Sequence, residues 1–296
     1  MMRFGFIIGT GRCGTTLLAK MLNAHSEICV PHELQILMEE CGNGRRLFEV
    51  FQSGDHASFF AEDFIRLIEE RCPYKIHEYF DLEGFFRSRT YPEVDLSQLA
   101  SDLFTAIADS KGKSYFLEQT PWYGQHIPTI TQLFPRAKFI HVIRDGRDVA
   151  ISFARTPWWS KDVLANLSRC EREVSVILRD SLHYLQPDQV HLVRYEDLVI
   201  SPESALEGIC RFLGVTYEAD MLHVSNYFQY EALLKDDQKI APSQELQQWE
   251  EGLKTPTFSG SVKAWSRQNA VDFGMTTSNV NVLLGRLGYE VPVTAP

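Results

Sequence analysis

A strand, a glycine-rich loop and a helix follow one another near the N-terminus, and this segment constrains the fold more than any other part of the chain. Residues 6–18 read F-I-I-G-T-G-R-C-G-T-T-L-L. The apolar run Arg3–Gly9 predicts a buried strand, and Thr15–Ala24 predicts a helix with one apolar face. Glycines let the backbone approach a ligand closely, and the first turn of a helix presents unpaired N–H groups to an anion. The segment therefore predicts an α/β protein that holds an anionic ligand at this loop.

The spacing of Gly9 and Gly14 is that of a Walker A loop, G-x-x-x-x-G, but Thr15 replaces the lysine that should follow. In enzymes that use ATP or GTP this lysine cradles the β- and γ-phosphates, so a triphosphate would lose a central contact here. A cation is available two residues before Gly14, as Arg12. Three interpretations remain open at this point: a glycine turn without a ligand, a P-loop kinase of small molecules, and another nucleotide-dependent transferase.

Helix and strand patterns alternate along the rest of the chain. This alternation predicts a single α/β domain over residues 1–296, with a central parallel sheet flanked by helices. Further strands are expected at Ile28–Val30, Ser114–Glu118, Lys138–Ile143 and Val190–Val193. Further helices are expected from about Arg147 and at Val163–Leu185, Pro202–Leu213 and Ser278–Leu287. Residues 36–110 predict a mainly helical insertion without a recognisable motif.

Charge and composition exclude several classes of function. The formal net charge of −10 argues against non-specific binding of nucleic acid, and no run of about 18 apolar residues predicts a membrane span. The apolar run Phe4–Ile8 is too short for the core of a signal peptide. The six cysteines are scattered, as is typical of thiols in a reducing compartment, and no cluster has the spacing of metal ligands. We therefore expect a cytoplasmic protein with no metal.

A second segment suited to an anion lies in the middle of the chain. Residues 141–153 read H-V-I-R-D-G-R-D-V-A-I-S-F, which places Arg144 at the end of a predicted strand and Ser152 on the following helix. An arginine offers a planar fork to phosphate oxygens, and a serine adds a hydroxyl donor. The alternative is a solvated turn in which Arg144, Asp145, Arg147 and Asp148 form local ion pairs.

The two segments together resemble those of the PAPS-dependent sulfotransferases (PAPS is 3′-phosphoadenosine-5′-phosphosulfate), especially the bacterial and protein-tyrosine branches. The continuation L-N-A-H-S-E-I-C-V-P-H-E is also typical of these branches. The resemblance implies the P-loop type of nucleotide-binding fold, PAPS as donor and PAP as product. It implies that the 5′-phosphosulfate is held by Arg12, Cys13, Gly14, Thr15 and Thr16, and that the 3′-phosphate is held by Arg144 and Ser152.

Two weaker segments add to the resemblance. Tyr195 lies in Y-E-D-L, which in the family places a tyrosine near the nucleotide, although a packing aromatic is an equal alternative. Lys263 lies in S-G-S-V-K-A-W, which resembles the loop that folds over the nucleotide. Lys263 is therefore a candidate 3′-phosphate contact, with a solvated lysine as the alternative.

The resemblance also implies candidates for the chemistry. Glu33 occupies the position of the family's general base, 21 residues after Arg12, and the neighbouring His32 is the second candidate. Gln119 stands where many relatives have a lysine that neutralises the transferred or leaving group. Arg12 is therefore expected to carry more of the catalytic charge.

The acceptor is less constrained than the donor. Aromatic residues in the 36–110 insertion, together with Trp158 and Trp159, are suited either to a core or to a pocket for an apolar, aromatic or carbohydrate small molecule. Tyrosine in proteins is expected less, because enzymes of that kind are usually membrane-anchored and this chain shows no anchor. A further alternative is a non-catalytic member of the family that binds nucleotide. The presence of Gln119 in place of the usual lysine favours this alternative.

Overall fold

The structure, a computed structural model, describes residues 2–37, 80–88, 96–156, 159–223, 261–267, 273 and 278–291. Most of the 36–110 insertion, its phenylalanines at 59, 60 and 64, and Trp158 lie outside the described residues. Two helices of the insertion are described, α2 (Leu82–Arg87) and α3 (Leu96–Ser110). Among the described residues, no helix combines the length and apolar character needed to cross a membrane.

Five strands form one parallel sheet. They are β1 (Arg3–Gly9), β2 (Ile28–Cys29), β3 (Tyr115–Glu118), β4 (Lys138–Ile143) and β5 (Val190–Arg194), in the spatial order β2-β3-β1-β4-β5. Every neighbouring pair is parallel, so all five carboxyl ends lie at the same edge. The predicted α/β fold is confirmed, and the glycine loop leaves the sheet from its central strand.

Some of the remaining helices connect the strands, and the last three follow β5. They are α1 (Thr15–Asn23), α4 (Ile127–Leu133), α5 (Gly146–Arg155), α6 (Val163–Tyr184), α7 (Tyr195–Ile200), α8 (Pro202–Leu213) and α9 (Ser278–Arg286), with 3₁₀ turns at Pro121–His126, Ala219–Leu222 and Ala264–Arg267. The predicted helix Pro202–Leu213 agrees at both ends. The second strand is shorter than predicted, because the amide of Val30 donates to Asn23 Oδ1 (2.9 Å) instead of pairing with a strand.

Both faces of the sheet are largely buried at β1 to β4, as expected for parallel strands covered by helices, whereas the edge strand β5 is partly exposed. Along β1 the side chains alternate: Phe6 and Ile8 pack into one core, and Ile7 packs into the core on the opposite face. Their exposure is 0% in each case. The strand that carries the glycine loop is therefore fixed from both sides, which holds the loop rigidly at the sheet edge.

Candidate active site

The glycine loop turns sharply into α1. Arg12 has a φ of 67° and Gly14, the residue before α1, has a φ of 105°. A Cβ atom on Gly14 would lie 2.3 Å from Tyr195 Cδ2, and one on Gly9 would lie 2.6 Å from the carbonyl oxygen of Val142. Glycine is therefore required at both positions, and Gly14 leaves the first turn of α1 without a side-chain cap.

We expect Gly14→Ala to lower the free energy of unfolding by at least about 1 kcal/mol and to weaken nucleotide binding, because it combines an unfavourable φ with a clash against Tyr195. Gly112→Ala is the matched control, since Gly112 also has a positive φ (67°) but no atom of the described residues lies within 4 Å of its added Cβ. Urea unfolding of both variants measures the difference. Equal losses would show that the contact with Tyr195 does not matter.

The two predicted anion segments meet in space. Arg12 Nε donates to Ser152 Oγ (3.1 Å), and Arg144 Nη1 donates to the carbonyl oxygen of Arg12 (3.0 Å). The half-buried Arg144 also donates from Nη2 to the carbonyl oxygen of Ser261 (2.8 Å). Arg144 Nε is buried and has no hydrogen-bond partner among the described residues. Since a guanidinium has five N–H donors, this one retains capacity to bind an anion.

Tyr195 joins this cluster from the end of β5. Its ring lies under the Arg144 guanidinium, 4.5 Å from the ring centre, and its hydroxyl shares a hydrogen bond with Ser261 Oγ (2.6 Å). The ring also limits the space above Gly14. Tyr195 therefore packs against the predicted nucleotide loop and supports the second anion site.

Ser261 was not singled out by the sequence prediction, although it lies in the S-G-S-V-K-A-W segment that was. Lys263, two residues further on, pairs through Nζ with Glu290 (2.9 Å), in an exposed position where 58% of the lysine side chain is accessible. Among the contacts the structure describes, none brings Lys263 to Arg144 or Tyr195. The structure thus places the backbone and hydroxyl of Ser261, rather than the lysine, beside the predicted phosphate site.

The charged turn after Arg144 is buried, so the alternative of a solvated turn is wrong, although one local ion pair that it included, between Arg147 and Asp145, is present. Arg147 is 1% exposed and donates twice to Asp145 (2.9 and 2.6 Å). Its guanidinium lies 3.6 Å from the ring centre of Trp265, and Asp148 Oδ1 accepts from the Trp265 amide (2.8 Å). Charged side chains are rarely buried unless paired. The contacts of Arg147 and Asp148 with Trp265 hold the 261–267 segment against α5.

Glu33 lies beyond β2, in a stretch without regular structure. Its Oε1 accepts from Gln119 Nε2 (3.4 Å) and its Oε2 from Gln35 Nε2 (3.1 Å). Burial raises the pKa of this carboxyl to about 7 despite both hydrogen bonds. A carboxyl with a pKa near neutrality is suited to accept a proton at the working pH.

Gln119 connects Glu33 to the nucleotide loop. Its Nε2 donates to Thr15 Oγ1 (3.3 Å) as well as to Glu33, so both amide hydrogens have acceptors. The side chain is 1% exposed. A lysine here would place a positive charge beside Glu33 and lower its pKa. The neutral amide instead orients Glu33 and leaves its raised pKa in place.

Glu118 is a neighbouring carboxyl that the sequence prediction missed. It is 0% exposed, and its Oε1 accepts from the amide of Leu34 (3.0 Å) and from Thr120 Oγ1 (2.8 Å). Burial, together with the charge of Glu33, raises its pKa to about 8. The signal available in the sequence was an acidic residue ending a predicted apolar strand. Glu118 holds the backbone that carries Glu33.

The remaining predicted residues differ in how they face the site. His32 is 1% exposed, and burial together with Lys20 lowers its pKa to about 4, so its ring is neutral at neutral pH. Burial raises the pKa of the Cys13 thiol to about 12, which leaves the loop backbone as its means of binding a ligand. Thr16 is half-buried in the first turn of α1. Among the described residues, no group of three or more His, Cys, Asp or Glu side chains is placed to hold a metal.

The central strand, the glycine loop and the helix it starts define a protein with the P-loop nucleotide-binding fold. Residues 6–219 match the model of the sulfotransferase family, and the chain belongs to this family. The predicted resemblance is therefore confirmed, and the alternative of a small-molecule kinase is set aside.

Relatives and solved structures agree with this assignment. The chain is 22% identical to protein-tyrosine sulfotransferase 2 of Gallus gallus, over 98% of this chain and 70% of that protein. It is 22% identical to protein-tyrosine sulfotransferase 1 of Danio rerio, over 98% and 73%. Its fold is similar to that of the sulfotransferase domain from the Synechococcus PCC 7002 olefin synthase, with a TM-score of 0.63, 20% identity and coverage of 99% and 98%.

Proposed function

We propose that this protein transfers a sulfuryl group from PAPS to a hydroxyl group of its acceptor. The observation that carries the proposal is the meeting of the two anion segments, in which Arg144 contacts the carbonyl of Arg12 and Arg12 contacts Ser152. A nucleotide with phosphate groups at both its 3′ and 5′ positions has the chemistry that two adjacent cationic sites would select.

The described residues fit such a donor. The first turn of α1 and the hydroxyls of Thr15 and Thr16 would hold the 5′-phosphosulfate, because unpaired N–H groups at a helix start favour an anion. Arg144 and Ser152 would hold the 3′-phosphate. The buried Nε of Arg144, without a partner among the described residues, supports this role. Tyr195 would keep the guanidinium in place.

The donor supplies an activated sulfuryl group: the acceptor oxygen bonds to its sulfur, the bond from that sulfur to the 5′-phosphate oxygen breaks, and PAP leaves. The residues of this chain prepare the acceptor for this step. Glu33 takes the proton of the acceptor hydroxyl, and Gln119 orients Glu33 toward the start of α1. Arg12, next to the loop glycines, supplies positive charge near the group that is transferred. Glu118 keeps the Glu33 backbone in place through the amide of Leu34.

The acceptor class is best supported by the relatives. Because those relatives are named protein-tyrosine sulfotransferases, the phenolic hydroxyl of tyrosine is favoured over the small-molecule acceptors expected from the sequence. The cytoplasmic location remains a prediction.

Incubation with ³⁵S-labelled PAPS and a panel of tyrosine peptides, simple phenols and sugars tests the proposal, with products identified by mass spectrometry. We expect label in the peptides or phenols. Label in sugars alone would contradict the acceptor class. Binding of PAP without transfer to any acceptor would favour the non-catalytic alternative.

A further inference from the structure

Three aromatic side chains form a corner beside the glycine loop. Trp122 and Trp159 meet edge to face, with ring centres 6.4 Å apart and planes at 89°. Phe153 packs against Trp159 at 5.0 Å. Phe153 is buried, whereas Trp122 is 38% exposed. We call Trp122, Phe153 and Trp159 the aromatic corner.

The corner lies next to the glycine loop, and Trp122 follows closely in the chain the residue that contacts Glu33. A Cβ atom on Gly11, the residue before Arg12, would lie 2.8 Å from Phe153 Cζ and 3.7 Å from Trp122 Nε1. Trp122 follows β3 by four residues, and Gln119, which contacts Glu33, lies between them in the chain. The ring of Trp122 therefore lies beside the loop, and its backbone lies three residues after Gln119, the residue that orients Glu33.

Arg169, which lies on α6, packs against all three rings of the corner. Its guanidinium lies 4.0 Å from the ring centre of Trp159, 5.0 Å from that of Trp122 and 5.2 Å from that of Phe153. Glu173 accepts from Arg169 Nε at 2.6 Å, so the cation is neutralised. A wall that is held in this way loses little conformational freedom when a ligand binds.

The surface of the corner is suited to a ring rather than to a polar group. The Trp159 N–H already donates to Asn166 Oδ1 (3.1 Å), and the Arg169 charge is paired with Glu173. Two ring planes at right angles offer a face and an edge together, and aromatic pairs prefer offset or edge-to-face contacts. Among the described contacts, only the Trp122 N–H of these three side chains has no acceptor, so the corner offers a single polar contact where the several hydroxyl groups of a sugar would need more.

We propose that the aromatic corner binds the planar ring of the acceptor, so that the acceptor is a phenol, as in a tyrosine side chain. This inference rests on the proposed function and adds the residues that would recognise the ring. Trp122 is the determinant that can be tested, because it is the most exposed ring of the corner and is not part of the nucleotide loop.

The test is direct binding of p-cresol, the analogue of the tyrosine side chain, measured by ligand-observed NMR titration with and without PAP. We expect Trp122→Ala to raise the Kd for p-cresol by about tenfold, and Trp122→Phe, which keeps a ring, to raise it much less. Tyr184→Ala is the control, because Tyr184 is 53% exposed at the end of α6. It should leave the Kd unchanged.

An unchanged Kd in Trp122→Ala, with the fold intact by circular dichroism, would overturn the inference. So would equal binding of p-cresol and 4-methylcyclohexanol, since the second has no aromatic ring, or failure of the parent protein to bind p-cresol. A separate titration with PAP tests the proposed function alone. If the parent protein does not bind PAP, the proposed function fails, and this result is distinguished from a failure of the aromatic corner.

Discussion

Replacing Glu33 by glutamine is expected to lower the rate of sulfuryl transfer by about 10²–10⁴-fold, the usual contribution of a general base. The amide keeps the shape of the side chain but removes the basic oxygen. Affinity for PAP should stay unchanged, because Gln119 and Gln35, which Glu33 contacts, lie outside the second anion site. Steady-state transfer of ³⁵S from PAPS to a tyrosine peptide measures the rate.

His32→Ala is the comparison variant, and it should lower the rate less than Glu33→Gln does. Because His32 is buried (1% exposed), the thermal midpoint of unfolding of the His32→Ala protein must be measured alongside its rate. Near-normal transfer by Glu33→Gln together with collapse in a folded His32→Ala protein would reverse the assignment. Loss of PAP binding in Glu33→Gln would instead assign a structural role to that carboxylate.

The pH dependence separates the two candidate bases independently. A base must be deprotonated to act, and burial raises the pKa of Glu33 to about 7. The rate should therefore rise with pH through about 7 and level off above it. His32, whose pKa burial lowers to about 4, would already be neutral and would give no rise near pH 7. Measurement of kcat against pH in the parent decides between them.

Arg144→Ala should weaken PAP binding by about 1.5–3 kcal/mol, or roughly 10- to 150-fold, because it removes a charge-assisted contact to the 3′-phosphate. The same substitution should lower the affinity for AMP, which lacks that phosphate, far less. Isothermal titration calorimetry with both nucleotides measures the difference. Arg179→Ala, at a 62% exposed arginine on α6, is the matched control for loss of one positive charge.

Equal losses for PAP and AMP in Arg144→Ala would contradict a specific 3′-phosphate contact. That result would point to disturbance of the loop, since Arg144 also donates to the carbonyls of Arg12 and Ser261. Arg12→Ala is expected to weaken PAP binding as well. Unchanged affinity in both variants would remove the basis for assigning the nucleotide.

The elements around the loop were predictable because their signals are local. Apolar runs bounded by glycine or proline fixed the central strands, and the predicted helix Pro202–Leu213 matched at both ends. The end of β2 was missed because the amide of Val30 bonds to the side chain of Asn23 instead of to a strand. A hydrophobic pattern does not encode this hydrogen bond. The insertion at 36–110 and the role of every site residue remain predictions.

The parts of the site that were missed depend on contacts between distant segments. Glu118 meets the Glu33 loop across 84 residues of chain, from its carboxyl to the amide of Leu34. Ser261 reaches Tyr195 across 66 residues. A solvated turn after Arg144 was one alternative, because charged residues favour water. In the structure the Trp265 ring packs on Arg147, and the Trp265 amide donates to Asp148. Such pairings follow from topology, which no local pattern in one sequence specifies.

Calorimetric titration of the parent protein with PAP in the presence of EDTA tests the assignment of the nucleotide. We expect PAP to bind without magnesium, because the loop, Arg12 and Arg144 supply the groups that hold its two phosphates. We expect ATP to bind far more weakly even when magnesium is added, because this loop has no Walker lysine to hold the γ-phosphate. Tight binding of magnesium-ATP together with no heat from PAP would contradict the assignment of this protein as a PAPS-dependent sulfotransferase.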